Sequence, residues 1–119
     1  MQTTLSATVD AYINSVNTQD RSAFLALFTD NAKVEDAGRS FQGRDAVRDW
    51  SHHDIFEPNV TVEVSEAVDQ GDHQIVRTKV DGDFDRTGLP NPLFIDHRFE
   101  IVGGRIAHLA CRLAGTDPL

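Results

Sequence analysis

Apolar residues in the first part of the chain recur at the spacing of a helix. The positions at intervals of three and four are Leu5, Val9, Tyr12, Ile13 and Val16. This spacing predicts an amphipathic helix over about residues 4–17, with Thr3 or Thr4 as its N-cap. Asp20 is a suitable N-cap for a second, very apolar helix over residues 23–28. Together these segments predict a helical hairpin whose apolar face needs a partner.

The next segment favours a short β-hairpin followed by a third helix. Residues 32–42 predict a strand, a turn around Gly38 and a brief return strand. Gly43 then precedes a helix in which Val47 and Trp50 share one face.

From Asn59 onward the hydrophobic period changes from that of a helix to that of a strand. Apolar and polar residues alternate over residues 60–65, and further strands are predicted near residues 73–83, 93–102 and 105–113. Helices first and strands afterwards predict an α+β fold, in which a strongly curved antiparallel sheet wraps around three N-terminal helices. We expect this cone-shaped sheet to leave an apolar pocket.

Composition and charge narrow the possible functions. The 119 residues suit one domain over residues 1–119, and the 39% hydrophobic share is enough for a core. A net charge of -8 opposes binding to nucleic acid or to anionic membranes. Since the sequence has neither a long apolar run nor a basic and apolar leader, we expect a cytoplasmic protein. The one cysteine, Cys111, excludes an intramolecular disulfide and is expected to be a small buried strand residue.

A set of short motifs along most of the chain carries a family resemblance. It comprises Tyr12, Asn17, Asp20, Leu27-Phe28, Asp30, Ala32, Val34, Asp36, Gly38, Gly43, Ala46, Trp50, Phe99-Glu100-Ile101 and Gly104-Arg105-Ile106. These residues resemble the nuclear transport factor 2-like superfamily, and most of all its SnoaL-type, polyketide cyclase-like branch. The resemblance implies a cone-shaped domain with an apolar pocket, in a superfamily that includes ketosteroid isomerases, polyketide cyclases, epoxide hydrolases and dehydratases.

Two local segments are similar to those of ketosteroid isomerase and imply specific roles. They are Val34-Glu35-Asp36 and Ile95-Asp96-His97, and Tyr12 matches as well. The resemblance makes Asp36 the general base, Tyr12 one donor to the oxyanion, and Asp96 a protonated carboxylic acid that gives the second hydrogen bond.

The alternation of strand residues favours a different neighbour for the last of these roles. Ile95, His97 and Phe99 share one face of their predicted strand, which leaves Asp96 on the other face. Period two therefore favours His97 as the pocket group, and a β-bulge would be needed to return Asp96 to it. Asp96, His97 or neither can thus complete the site, and His97 can also serve in acid–base work.

Aromatic residues and one further histidine are expected to bind the substrate. These are Phe24, Phe28, Phe41, Trp50, Phe94, Phe99 and His108. No metal is expected, because His52 and His53 lack the i, i+4 spacing of helical ligands. The acidic run at residues 81–85 likewise lacks the pattern of a calcium-binding loop.

These features predict a small enzyme that moves protons on an apolar carbonyl substrate, of ketosteroid isomerase or polyketide cyclase type, without a cofactor. The alternative is a non-catalytic domain of the same fold that binds a small ligand or serves as an accessory module. A third reading is a structural dimer whose cavity is filled by side chains. Whether the chain is an enzyme stays open at this point. All three readings are compatible with a homodimer formed through the sheet, with a small apolar molecule as the other partner.

Overall fold

The computed structural model describes residues 5–115 and residue 119. The helices are α1 (Ala7–Asn17), α2 (Arg21–Ala26) and α3 (Arg44–Ser51), and a π-helical turn (His52–Phe56) continues the last of them. The strands are β1 (Phe28–Asp36), β2 (Arg39–Gln42), β3 (Thr61–Asp69), β4 (Gln74–Asp81), β5 (Leu93–Val102) and β6 (Arg105–Leu113). The predicted α+β class and helices-first order are confirmed.

The six strands form one curved sheet in the order β2-β1-β6-β5-β4-β3. Neighbouring strands of the sheet are antiparallel, except for β1 and β6, which run parallel. The expectation of a wholly antiparallel sheet is therefore wrong at this pair. Side-chain alternation specifies which residues face the core, but it does not specify strand direction across the long helical connection between β2 and β3.

The first helix begins later, and the second helix ends earlier, than the sequence predicts. Ser6 caps α1, since its Oγ accepts a hydrogen bond from the backbone N–H of Val9 at 3.1 Å. The caps expected at residues 3 and 4 lie outside the described residues. Asp20 caps α2 as predicted, with its Oδ1 3.0 Å from the backbone nitrogen of Ala23. The second helix ends earlier than expected because Phe28 already begins β1.

Phe24 of α2 stands at the centre of the core between the helices and the concave face of the sheet. Its side chain is fully buried, and its ring centroid lies 5.2 Å from Tyr12, 5.1 Å from Phe28 and 5.3 Å from Phe56. These four rings connect α1, α2, the first strand and the π-helical turn. The cluster thereby fixes the helices against the sheet. None of the described helices is long and apolar enough to cross a membrane.

We expect Phe24→Ala to lower the free energy of unfolding by about 3 to 5 kcal/mol, because it leaves a cavity in the middle of this cluster. Phe94, which is only partly buried on the other face of the sheet, offers the matched control. Urea unfolding followed by Trp50 fluorescence measures both variants. Equal losses for Phe24→Ala and Phe94→Ala would contradict the placement of the core.

Candidate active site

A cavity of about 600 Å³ lies between the concave face of the sheet, α1, the π-helical turn and the loop after β4. Most of its wall is apolar, formed by Val16, Ala37, Trp50, Ile55, Pro58, Val60, Val62, Val80, Phe84, Leu89, Leu93, Ile95 and Leu113. Polar and ionisable groups converge on it from Tyr12, Asp36, Arg39, His53, Asp54, Asp85, His97, Cys111 and Arg112. An apolar cleft of this size with a few polar groups is typical of a small-molecule site.

Asp36 projects into this cavity from the end of β1. The strand stops there because Ala37 and Gly38 form a tight turn with positive φ angles of 51° and 83°. The Oδ2 atom of Asp36 accepts hydrogen bonds from Trp50 Nε1 at 3.0 Å and from Arg39 at 2.9 Å. Burial raises the pKa of Asp36, against the opposing effects of the Trp50 hydrogen bond and the Arg39 charge. Its carboxylate is therefore a stronger base than an ordinary aspartate.

Arg39 also donates to Asp54, so one guanidinium joins two carboxylates. Asp54 belongs to the π-helical turn and lines the same cavity. Sequence reasoning did not select it, although a signal was present. Asp54 follows Trp50 by four positions, a spacing at which a continuing helix places two side chains on one face.

Tyr12 and His97 lie side by side on the cavity wall, with ring centroids 6.0 Å apart. Burial raises the pKa of Tyr12, so its hydroxyl stays protonated and can donate a hydrogen bond. His97 stacks on Phe99, and burial lowers the pKa of His97 to about 4, which leaves the ring neutral near pH 7. Its Nδ1 is buried without a hydrogen-bond partner among the described residues.

The sheet register places three of the ionisable groups in one row. Cys111 of β6 is paired with Asp36 of β1 on one side and with His97 of β5 on the other. All three line the cavity, so Cys111 is a cavity residue as well as a strand residue. Burial and the nearby Asp36 raise the pKa of the Cys111 thiol, which keeps it protonated.

The structure does not bring Asp96 to the cavity. It lies on the outer face of β5, where its carboxylate accepts hydrogen bonds from Arg77 Nε at 2.8 Å and from Arg77 Nη2 at 3.2 Å. Arg77 also donates to Glu66 at 3.2 Å. The position implied by the resemblance is thus corrected, and the strand alternation that favours His97 agrees with the geometry. The irregularity in the pairing of β5 with β6 falls later, between Glu100 and Ile101, and leaves the alternation at Asp96 intact.

Four of the expected substrate-binding aromatics lie behind the cavity wall. Phe24, Phe28 and Phe99 are fully buried in the core. Phe41 packs against Trp50 with ring centroids 6.2 Å apart. Trp50 is the one of the seven expected binding residues that lines the cavity itself.

The other two expected binding residues lie on the outer face of the sheet. Phe94 borders a separate groove beside Arg77. His108 lies between two carboxylates, with Nε2 2.9 Å from Glu35 and Nδ1 2.7 Å from Glu100. Neither contacts the cavity, and the placement expected of them is corrected.

The loop between β4 and β5 contributes lining residues that sequence reasoning missed. Phe84 and Leu89 both face the cavity. Arg86 holds the start of this loop, because it pairs with Asp81 while its guanidinium lies 4.7 Å from the Phe84 ring centre. An irregular loop carries no hydrophobic period, so the sequence offered no signal for these contacts.

Among the described residues, one cluster brings possible metal-ligand atoms close together. It consists of His52, His53 and Glu57. Arg21 donates to His52 Nδ1 at 2.7 Å. A neutral His52 then carries its proton on Nε2, which lies 3.4 Å from the Glu57 carboxylate. In this tautomer neither ring nitrogen offers a free lone pair, so metal binding would first have to displace Arg21.

We expect Asp96→Asn to lower the free energy of unfolding by about 2 kcal/mol, because it breaks a buried, doubly hydrogen-bonded ion pair. Glu100→Gln is the matched control on the same strand face and should cost about 1 kcal/mol or less. The affinity of an apolar ketone for the cavity should be unchanged in both variants. A loss of ketone binding in stable, folded Asp96→Asn would contradict the outward placement.

Comparison with known proteins agrees with this fold. Residues 9–109 match the family described as SnoaL-like domain. A candidate polyketide cyclase from Sinorhizobium meliloti is 30% identical, with a TM-score of 0.81 over 91% of this chain and 95% of that one. No curated protein matches the chain.

Two more distant structures share the fold alone. A candidate ketosteroid isomerase from Kribbella flavida is 14% identical, with a TM-score of 0.75 over 95% of this chain and 79% of that one. A Mycobacterium tuberculosis protein in complex with estradiol-17β-hemisuccinate is 18% identical, with a TM-score of 0.72 over 87% and 88% of the two chains.

Proposed function

The chain belongs to the SnoaL-like family of nuclear transport factor 2-like proteins, and from that premise we propose that it catalyses proton transfer on an apolar carbonyl compound. The observation that carries this proposal is Asp36, a carboxylate of raised pKa that projects into a largely apolar cavity. Two neutral hydrogen-bond donors, Tyr12 and His97, line the same cavity. The reaction type is that of an isomerase or a cyclase that needs no cofactor.

The residues support a simple acid–base sequence. The Asp36 carboxylate takes a proton from the carbon beside the substrate carbonyl, and the electron pair of that C–H bond moves toward the carbonyl oxygen. Tyr12 O–H and a ring N–H of His97 donate to the oxygen as negative charge develops there. Asp36 then returns the proton to another carbon, which isomerises the substrate. Alternatively, the carbanion attacks the carbon of a second carbonyl in the same molecule, which closes a ring. The electron pair of that C=O bond moves to its oxygen, and the resulting alkoxide takes the proton back from Asp36.

Burial matters for each of these roles. A base that is partly removed from water has a greater affinity for protons, and Asp36 has 23% of its side-chain surface exposed. Donors that carry no charge in the resting state can remain inside an apolar wall, as Tyr12 and His97 do.

The substrate is proposed to be a small, largely apolar ketone. A cavity of about 600 Å³ lies within the usual range for sites that enclose one small molecule. The steroid ester bound by the Mycobacterium tuberculosis protein and the assignment of the Sinorhizobium meliloti protein support the choice of polycyclic or polyketide-like ketones as first probes.

Asp36→Asn should lower kcat for such a ketone by a factor of about 10² to 10⁴, because asparagine cannot accept the proton. The affinity for a non-reacting phenol of similar shape should stay close to that of the wild type. Isomerisation of a β,γ-unsaturated ketosteroid followed by ultraviolet absorbance measures the first quantity, and calorimetry the second.

Asp49→Asn is the control for this experiment, since Asp49 is an exposed aspartate of α3 that does not line the cavity. Full turnover in Asp36→Asn would remove the central residue of the proposal. Tight ketone binding by the wild type without any exchange of α-protons would favour a non-catalytic ligand-binding or accessory domain instead.

We also propose that two copies of the chain associate through the outer face of the sheet. On that face the partly buried Val68 and Ile75 are paired across β3 and β4, beside the ion pair of Arg77 and Asp96. Such a mixture of apolar and paired charged groups suits an interface between identical surfaces. A cytoplasmic location stays a prediction from the sequence.

Ile75→Lys should convert this dimer to a monomer, because it would bury two uncompensated charges at the interface. Val102→Lys, at an exposed hairpin end, is the control and should leave the dimer intact. Sedimentation equilibrium distinguishes the two species. A monomeric wild type at micromolar concentration would contradict the proposal.

A further inference from the structure

We propose that Arg39 and Asp54 form a positioning pair that sets the protonation state of Asp36 by opposing effects. The electrostatic part of this inference stands on the contacts of the three side chains. Its consequence for catalysis rests on the proposed function.

The geometry of the three side chains carries the inference. Arg39 Nη2 donates to Asp36 Oδ2 at 2.9 Å and also to Asp54 Oδ2. Because one nitrogen bridges both carboxylates, the two negative groups are held close together at the cavity wall. The three side chains then carry two negative charges against one positive charge.

Removal of Asp54 and removal of Arg39 should therefore shift the protonation equilibrium of Asp36 in opposite directions. Without the Asp54 charge, Arg39 serves Asp36 alone, and the ionised form of Asp36 is favoured. Without the Arg39 charge, the two carboxylates face each other uncompensated, and a shared or bound proton is favoured. In agreement, Asp54 acts to raise the pKa of Asp36 and Arg39 acts to lower it.

The side chain of Trp50 provides a direct reporter of this equilibrium. It is the only tryptophan of the chain, and its indole N–H donates to Asp36 Oδ2 at 3.0 Å. A hydrogen bond to a carboxylate is stronger than one to a neutral carboxylic acid. The single indole resonance in a ¹H–¹⁵N spectrum should therefore shift as Asp36 gains or loses its proton.

Titratable groups from several elements surround Asp36. Tyr12 from α1 and Cys111 from β6 face it, and burial raises the pKa of both, so they remain protonated. The remaining charged or titratable groups that line the cavity are His53, Asp85, His97 and Arg112. The Asp36→Asn variant separates their contribution, since it removes the carboxyl that titrates and keeps an oxygen that can accept from the indole.

The experiment is a titration of the Trp50 indole resonance from about pH 3 to about pH 8, a range that spans the ordinary carboxyl and histidine pKa values. Asp36→Asn should abolish the main transition. Asp54→Asn should move its midpoint to lower pH, and Arg39→Gln should move it to higher pH. Arg39→Lys keeps the positive charge and should remain closer to the wild type than Arg39→Gln does.

Two control variants make the same changes of net charge on the exposed surface of α3. Arg48 and Asp49 contact each other at 3.5 Å and do not line the cavity. Arg48→Gln and Asp49→Asn should shift the midpoint less than their counterparts at positions 39 and 54.

Shifts no larger than those of the controls, or shifts in the same direction for Asp54→Asn and Arg39→Gln, would overturn the inference. If Arg39→Gln does not fold, Asp54→Asn with Arg39→Lys still decides it, because a midpoint that stays in place in Asp54→Asn would overturn it.

A parallel measurement of turnover separates this inference from the proposed function. The acid limb of kcat/KM for a β,γ-unsaturated ketone should follow the spectroscopic midpoints in the same order of variants. Opposite midpoint shifts without any turnover by the wild type would support the positioning pair and overturn the proposed function. A transition that persists unchanged in Asp36→Asn would overturn the pair, since the indole would then report another group.

Discussion

The site depends on one constraint, the placement of an ionisable carboxyl at the wall of an apolar cavity. Two donors, Trp50 Nε1 and Arg39, meet on a single oxygen of Asp36 and hold it there. Without them, a carboxylate that is largely removed from water would be costly and would turn toward solvent. The donors reduce that cost but leave the pKa of Asp36 above its usual value, which is what a proton-abstracting base requires.

The fold brings the remaining groups to this carboxyl from distant parts of the chain. The parallel pairing of β1 with β6 sets Cys111 beside Asp36, and the antiparallel pairing of β6 with β5 sets His97 on the other side of Cys111. The aromatic cluster around Phe24 holds Tyr12 over this row. The π-helical turn adds Asp54, which Arg39 holds close to Asp36. The sheet register and the helices packed on the sheet together fix which ionisable groups can act together.

Residue patterns predicted those parts of the fold in which a regular period is repeated. The bounds of β5 and β6 agree with the structure, because alternating residues flank a Gly103-Gly104 turn. The same alternation favoured His97 over Asp96 as the cavity residue. The sequence alone left the choice open, since a motif similar to that of ketosteroid isomerase does not specify the face on which each residue lies.

Other features depend on contacts that no local pattern encodes. The parallel β1–β6 pair joins strands that lie far apart along the chain, and the role of Arg39 as a bridge requires the π-helical turn to meet the β1–β2 hairpin. Aromatic residues were expected to line the pocket. The most apolar of them, such as Phe24 and Phe28, instead fill the core, where full burial stabilises the fold most. Aliphatic residues and the loop that contains Phe84 therefore form much of the cavity wall.

The most direct test of the account is incorporation of deuterium from solvent into the α-position of a bound apolar ketone, followed by mass spectrometry. In the proposed reaction Asp36 removes the α-proton inside the cavity, so the wild-type protein should accelerate this exchange well above the rate in buffer. Saturable binding of the ketone with exchange no faster than in buffer would contradict it.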